Sequence, residues 1–401
     1  MFSKITILTK RLFIFFLFSG ISIFFLKVLN KRTDFPCFYL SGERYLKAQN
    51  LYIISDPWPY KYLPSAALFF SPLSLFPQNI ALVLFYIASF TSMFLSYLLL
   101  SKVLVSLKIK VGFWSIVIVF IVNIKAHVYD YANLQINHFL VLLLILSFYI
   151  QQRYPRSLLR WVGAFLFSLA GMFKIITIFI SFYFLLKKEY RYFFKLLMMI
   201  FLILLLPLIS YGYVGLKWQY LEYVLLMKNY HQLFSPDRLY QSIPSMLARL
   251  SPFLPFTNEG ALKLILIVIL LLLSIFIFKM IYDQQKKGSL DLRLPWLQFS
   301  GCLIFYPLVN PVGWKHGYVF LMPAIFFVTH YVLEMKLYAK WIYRLTIGAF
   351  LLLTVFSSEV FLGKALSDSK DNFSFNVFAA MILLFLVFLI HQLILNKTNE
   401  T

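Results

Sequence analysis

The sequence predicts an all-α protein, a polytopic transmembrane bundle of about twelve helices, and three observations carry that prediction. Hydrophobic residues fill 61% of the 401 positions and charged residues only 13%, against about 45–50% and about 25% in soluble domains. Mean hydropathy is +0.82. Apolar runs near the roughly 20 residues that cross a bilayer recur from end to end, separated by short basic clusters. This arithmetic excludes a secreted disulfide scaffold, a disordered tail and a soluble enzyme with one anchor.

The first run follows Lys4, Lys10 and Arg11 as a signal peptide would. No small-residue cleavage site closes it, so it reads as an uncleaved helix near 11–29. Further runs read as helices near 79–100, 112–124, 137–151, 195–214, 261–281, 296–310, 317–333, 342–362 and 374–394. The stretch 161–187 admits two readings. One tilted helix would put Lys187, Lys188, Arg191 and Lys195 outside, whereas two short helices breaking at Gly171–Lys174 return that cluster to the inside. The second reading gives twelve helices with both termini inside. Charge supports it: 21 of the 37 Lys and Arg then fall in short inside segments, and 10 of the 15 acidic residues fall outside.

A net charge of +22 invites a nucleic-acid reading, but no polar domain exists to carry a basic stripe. The two cysteines, Cys37 and Cys302, give no zinc spacing and no obvious pair. With no internal repeat or soluble linker, 1–401 reads as a single integral domain. Two outer stretches, 30–78 and 215–260, are longer than ordinary loops. They are dense in Tyr, Trp and Pro, which argues against disorder, and they are expected to contribute to an active-site cleft.

A few residues in this frame can carry chemistry. Asp34, in Thr33-Asp34-Phe35-Pro36, reads as a general base facing an outward cavity, or as a helix-end carboxylate paired with Lys31 and Arg32. Lys174 lies among apolar residues, where an ammonium costs about 2.5–3.5 kcal/mol on insertion scales. It either neutralises a phosphate at a hairpin tip or snorkels to a structural partner. Gln135, Asn137 and His138 open the fourth helix, suited to bonding a sugar and equally to capping and packing. Arg249 follows Gln241-Ser242 by two helical turns; its guanidinium suits phosphate and equally an interfacial anchor. In Asn310-Pro311-Val312-Gly313-Trp314-Lys315-His316, Trp314 has the place of an interfacial anchor. Lys315 and His316 beside it suit phosphate binding or proton transfer, and His316 also suits a structural role. All lie on one side in this topology. Cations, one carboxylate and many aromatics describe a pocket for a phosphate-linked lipid and a sugar.

Read in order, a series of short motifs covers most of the chain: Thr33-Asp34-Phe35, Asn50-Leu51-Tyr52, Tyr62-Leu63-Pro64 with Ser71-Pro72-Leu73, Leu134-Gln135-Ile136-Asn137, Gly163 to Lys174, Gln241-Ser242 to Arg249, and Asn310 to Gly317. The series resembles the polytopic C-fold glycosyltransferases, specifically glycosyltransferase family 87, and is similar to bacterial polyprenyl-phosphate-mannose-dependent α-mannosyltransferases. Three positions depart from the family pattern. Leu63 replaces the first Pro of Tyr-Pro-Pro, Leu134 the Gly before Gln135, and Gly317 the second late His.

The resemblance implies an inverting hexosyl transfer, mannose first, from a polyprenyl-phosphate donor to a lipid-linked or glycan acceptor, with Asp34 as base. The active site would face the periplasmic or extracytoplasmic side of the cell (inner) membrane. Lys174, Arg249, Lys315 and His316 would hold the donor phosphate. Tyr62, Gln135, Asn137, Gln241 and Trp314 would contact sugar or acceptor. The expected partners are the two substrates and membrane lipids; no metal, cofactor or nucleic acid is expected. The competing class is a flippase or other transporter for a lipid-linked sugar. Such proteins also line a path with Lys, Arg and His but often show repeats and midplane sites, neither of which this sequence displays.

Overall fold

The computed structural model describes residues 2–28, 34–155, 157–230, 233–253, 258–311, 313–357 and 359–397. Among these residues there are sixteen helices of at least seven residues and no strand. Two compact units share the chain. One comprises Met1–Leu99 with Val128–His231, the other Leu100–His127 with Gln232–Thr401.

The first unit holds α1 (Phe2–Ile23), α2 (Phe35–Leu46), α3 (Pro64–Phe70), most of α4 (Gln78–Ser106) and the end of α5 (Phe113–Ala132). It continues through α6 (Asn137–Arg153), α7 (Leu159–Phe173), α8 (Phe182–Leu186), α9 (Tyr190–Leu205) and α10 (Leu208–Tyr230). The second unit takes the rest of α4 and α5, then α11 (Ile243–Leu250), α12 (Glu259–Lys286), α13 (Arg293–Val309) and α14 (Met322–Glu334). It ends with α15 (Trp341–Leu351), α16 (Glu359–Asn372) and α17 (Phe375–Lys397).

Six described helices are long and apolar enough to cross a membrane, and a seventh span results if α9 and α10, bent by 89°, count as one. Large apolar side chains such as Phe18, Phe194 and Leu264 stay exposed along them, as in a multi-pass membrane protein. The all-α class therefore holds. The expected twelve becomes six or seven long spans plus shorter apolar helices at Pro64–Leu75, Leu159–Phe173, Ile175–Leu186 and Trp341–Phe356. The run expected at 195–214 breaks at Pro207, which has no N–H for the helical ladder. Gly212, at φ 62°, interrupts it again.

The stretch 161–187 is two short pieces, as the charge pattern favoured. Lys174 is extended (φ −140°, ψ 97°) and ends α7; a 3₁₀ turn, Ile175–Ser181, then leads into α8. Arg160 and Glu189, at the two ends of the stretch, form an ion pair of 3.3 Å, so the chain returns to where it started. Phe167 meets Phe184 across the hairpin at 6.0 Å.

The stretches 30–78 and 215–260, expected as loops, are largely helical. Asp34-Phe35-Pro36 opens α2 with Pro in its first turn, and α3 likewise starts on Pro64. A Cβ at Gly42 would lie 2.6 Å from the Phe70 carbonyl oxygen, so glycine lets α2 lie against the end of α3. Past the ends of α4, α8 and α14, Lys108, Lys188 and Lys336 adopt left-handed conformations (φ 61°, 60° and 50°). Helices usually close on glycine or asparagine there.

Candidate active site

In the first unit, Asp34 occupies the N-cap position of α2, yet its side chain makes no capping bond. Its carboxylate instead accepts a hydrogen bond from the Gln135 amide, and its backbone N–H donates to the Asn133 carbonyl at 3.0 Å. Lys31 and Arg32, the basic neighbours weighed as structural partners, lie outside the described residues, as does Thr33. Lys61 and Lys174 place positive charge near the carboxylate. Burial pushes the Asp34 carboxyl above its ordinary value, while the Gln135 bond and these two lysines pull it down. The same burial, helped by the Asp34 charge, drives the Cys37 thiol up to about 12, leaving it protonated and inert.

Aromatic packing sets this geometry. Phe173, just before Lys174, touches Phe69, Phe70 and Phe139 at 6.0, 5.5 and 6.4 Å between ring centroids, which pins the hairpin tip to α3 and α6. Phe38 stacks on Phe70 at 4.6 Å and meets Tyr62 at 5.5 Å. The Tyr62 hydroxyl reaches Gln135 Oε1 at 3.5 Å, and the Tyr52 hydroxyl donates to the Tyr62 carbonyl at 2.8 Å. Asp34, Tyr62, Gln135 and Lys174 are thus brought together at one end of the unit.

Asn137 belongs to a different network. Its amide donates to Asp130 Oδ1 at 2.6 Å, and His138 Nδ1 lies 2.6 Å from Asp130 Oδ2. All three residues are buried, and the His138 ring stacks on Tyr131 at 4.5 Å. This network fixes the start of α6, and so the backbone that carries Gln135.

In the second unit, the Gln241 and Trp314 motifs meet. Tyr240 and Trp314 form an isolated antiparallel bridge, and Gln241 N–H donates to the Gly313 carbonyl at 2.6 Å. A Cβ at Gly313 would lie 2.9 Å from Ser242 Cβ, so glycine permits the approach. Val312 lies outside the described residues. The Gln241 side chain is buried and fully engaged. It donates to the carbonyls of Arg238 and Asp371 and accepts from Asn376. Arg249 donates to the carbonyls of Asp237 and Tyr240 and to the Ser374 hydroxyl. Trp314 is part-exposed, with the His316 ring parallel to it at 6.0 Å. Lys315 pairs with Asp371, which is 3% exposed.

Around Asp371 stand residues that sequence reasoning missed. Lys370, 3% exposed, donates to the Ser357 hydroxyl at 2.8 Å. Burial and the neighbouring Lys125 push its ammonium down to about 7. Asp371 Oδ1 is buried without a hydrogen-bond partner among the described residues. Lys315 therefore pairs with the Asp371 carboxylate, Lys370 feels both charges, and Lys125 stands beside Lys370. The sequence did carry a signal for Lys125, which sits in the apolar run Asn123-Ile124-Lys125-Ala126 just as Lys174 sits in its own.

Motif residues thus enter two charged clusters, Asp34 with Gln135 and Lys174 in the first unit and Asp371 with Lys315 and Lys370 in the second. A family model of glycosyltransferase family 87 matches residues 60–307, more than half of the chain. The match contains Tyr62, Gln135, Asn137, Lys174, Gln241 and Arg249. It leaves Asp34 before it and Trp314, Lys315 and His316 after it. No curated protein and no solved structure matches the chain. With membrane-crossing helices, two charged clusters and a family match of this extent, the chain belongs to glycosyltransferase family 87.

Proposed function

We propose that the protein transfers a sugar, mannose first, from a polyprenyl-phosphate donor to a lipid-linked or glycan acceptor on the outer face of the cell membrane, with both termini inside. One observation carries the reading. A half-buried carboxylate stands at a helix start without capping that helix, bonded instead by Gln135 and with two lysines near it. Asp34 takes the proton of the acceptor hydroxyl while that oxygen attacks the anomeric carbon. The bond from that carbon to the donor phosphate breaks on the opposite face, its electron pair leaves with the phosphate, and the anomeric centre inverts. The departing phosphate needs charge stabilisation from fixed cations. Lys174 is assigned that role beside Asp34, and the family resemblance adds Arg249, Lys315 and His316 as donor-phosphate residues.

Purified protein in liposomes, given a panel of radiolabelled polyprenyl-phosphate sugars and total lipid from the source cell, tests the proposal. Label from one donor is expected in a new lipid or glycan. Label that only changes leaflet would establish the transporter reading instead.

The pH profile tests the base. Asp34 acts only when ionised, so transfer falls as pH drops through its pKa. That acidic limb is expected above the ordinary carboxylate value of 3.8, because burial dominates at this position. Gln135→Leu deletes the bond that stabilises the carboxylate, so the limb moves to still higher pH. An unmoved limb in that variant would detach Asp34 from the profile.

A further inference from the structure

The far end of α6 carries a second charged cavity that the transfer chemistry does not use. Gln151 lies fourteen residues along α6 from Asn137, about 21 Å at helical rise. Here the end of α6, the start of α7 and the turn between α8 and α9 line an open cavity of about 510 Å³, within the range of ligand sites.

Its floor is built and neutral. Arg160 donates to Gln151 Oε1 and to the Pro155 carbonyl, both at 2.7 Å, pairs with Glu189 at 3.3 Å, and lies 5.0 Å from the Tyr192 ring centre. Glu189 also accepts from the Gln151 amide. The one carboxylate lining the cavity is therefore committed to Arg160. Lys188 and Arg191 line the same cavity, and their side chains make no ion pair or hydrogen bond among the described residues. The cavity thus presents two cations without a counter-charge.

Its surroundings say what kind of anion arrives. Leu158 is 82% exposed, and Leu186, Tyr190 and Phe194 are exposed beside it. Lys195 reaches over the Trp161 ring at 4.6 Å, an arrangement suited to a membrane–water boundary. A phosphate drawn to Lys188 and Arg191 would carry its apolar body along these surfaces. We propose that this cavity binds the headgroup of an anionic phospholipid, separately from both substrates of the transfer reaction.

Lys188 sharpens the test, because its left-handed backbone suits glycine at least as well. Lys188→Gly therefore removes the charge without adding backbone strain, and Arg191→Gln removes the other. Delipidated protein is titrated with phosphatidylglycerol, phosphatidylcholine or inorganic phosphate, and read by native mass spectrometry and thermal unfolding. Wild type is expected to retain phosphatidylglycerol selectively and to melt higher with it. The double variant should bind it about thirtyfold more weakly, at the usual strength of two surface cations, with unchanged melting in phosphatidylcholine. A photoreactive phosphatidylglycerol should label the segment 186–194. Equal phosphatidylglycerol response in both proteins, or labelling that avoids this segment, overturns the proposal. Protection by inorganic phosphate alone would overturn the lipid assignment.

Discussion

Asp34→Asn is expected to cut sugar transfer by about 10³-fold, the middle of the range for a positioned base, while expression and melting temperature stay near wild type. The structure makes this separation sharp. The Asp34 side chain does not cap α2, so its replacement costs the helix nothing there. Asparagine has the same shape and still offers an oxygen to the Gln135 amide. It lacks only the charge and the ability to take a proton. Transfer assays on the purified variant decide the matter, and a wild-type rate would end the role of Asp34 as base even within the right family.

The second large effect concerns Lys315 and requires two variants. Lys315→Met alone removes the ion-pair partner of the Asp371 carboxylate, which is 3% exposed. Breaking a buried pair from one side costs about 3–5 kcal/mol, so a fall in activity would say little about chemistry. Replacing both partners, Lys315→Met with Asp371→Leu, is often neutral for stability. The double variant is expected to recover folding, read as yield and melting temperature, but to remain about 10²-fold slower, because the cation proposed for the donor phosphate is gone. Recovery of transfer along with folding would show that Lys315 serves the fold alone.

The parts of the molecule that were legible in the sequence share a cause. Spans such as 259–286 are continuous apolar runs, and their hydropathy needs no partner to be read. The hairpin at Lys174 was legible because two short helices keep the basic cluster Lys187, Lys188, Arg191 and Lys195 with the rest of the inside charge, which one tilted helix does not. The helices α2, α3 and α11 escaped because they are short and mixed in polarity, although Pro36 and Pro64 marked two of their starts. Placing Gln241 with the Trp314 motif needs the fold itself, since the bond from Gln241 to Gly313 closes a gap of many turns. The Asp371 cluster was illegible for the same reason. Its cations come from α5, α16 and the turn before α14, and only folding shows that Lys125 stands beside Lys370 and Lys315 beside Asp371.

The lysines past the ends of α4, α8 and α14 expose a tension between the finished fold and its biogenesis. A left-handed lysine sits in a conformation that costs an L-residue about 1–2 kcal/mol, and glycine at the same place would avoid most of it. Glycine, however, carries no charge to hold a segment on its side of the bilayer while the chain is being inserted. Lys108 and Lys336, to which no ligand is assigned, thus read as sites where the nascent chain's need for a topological signal outranks the rest energy of the mature protein. Selection for stability alone would replace them, and selection for correct threading would keep them.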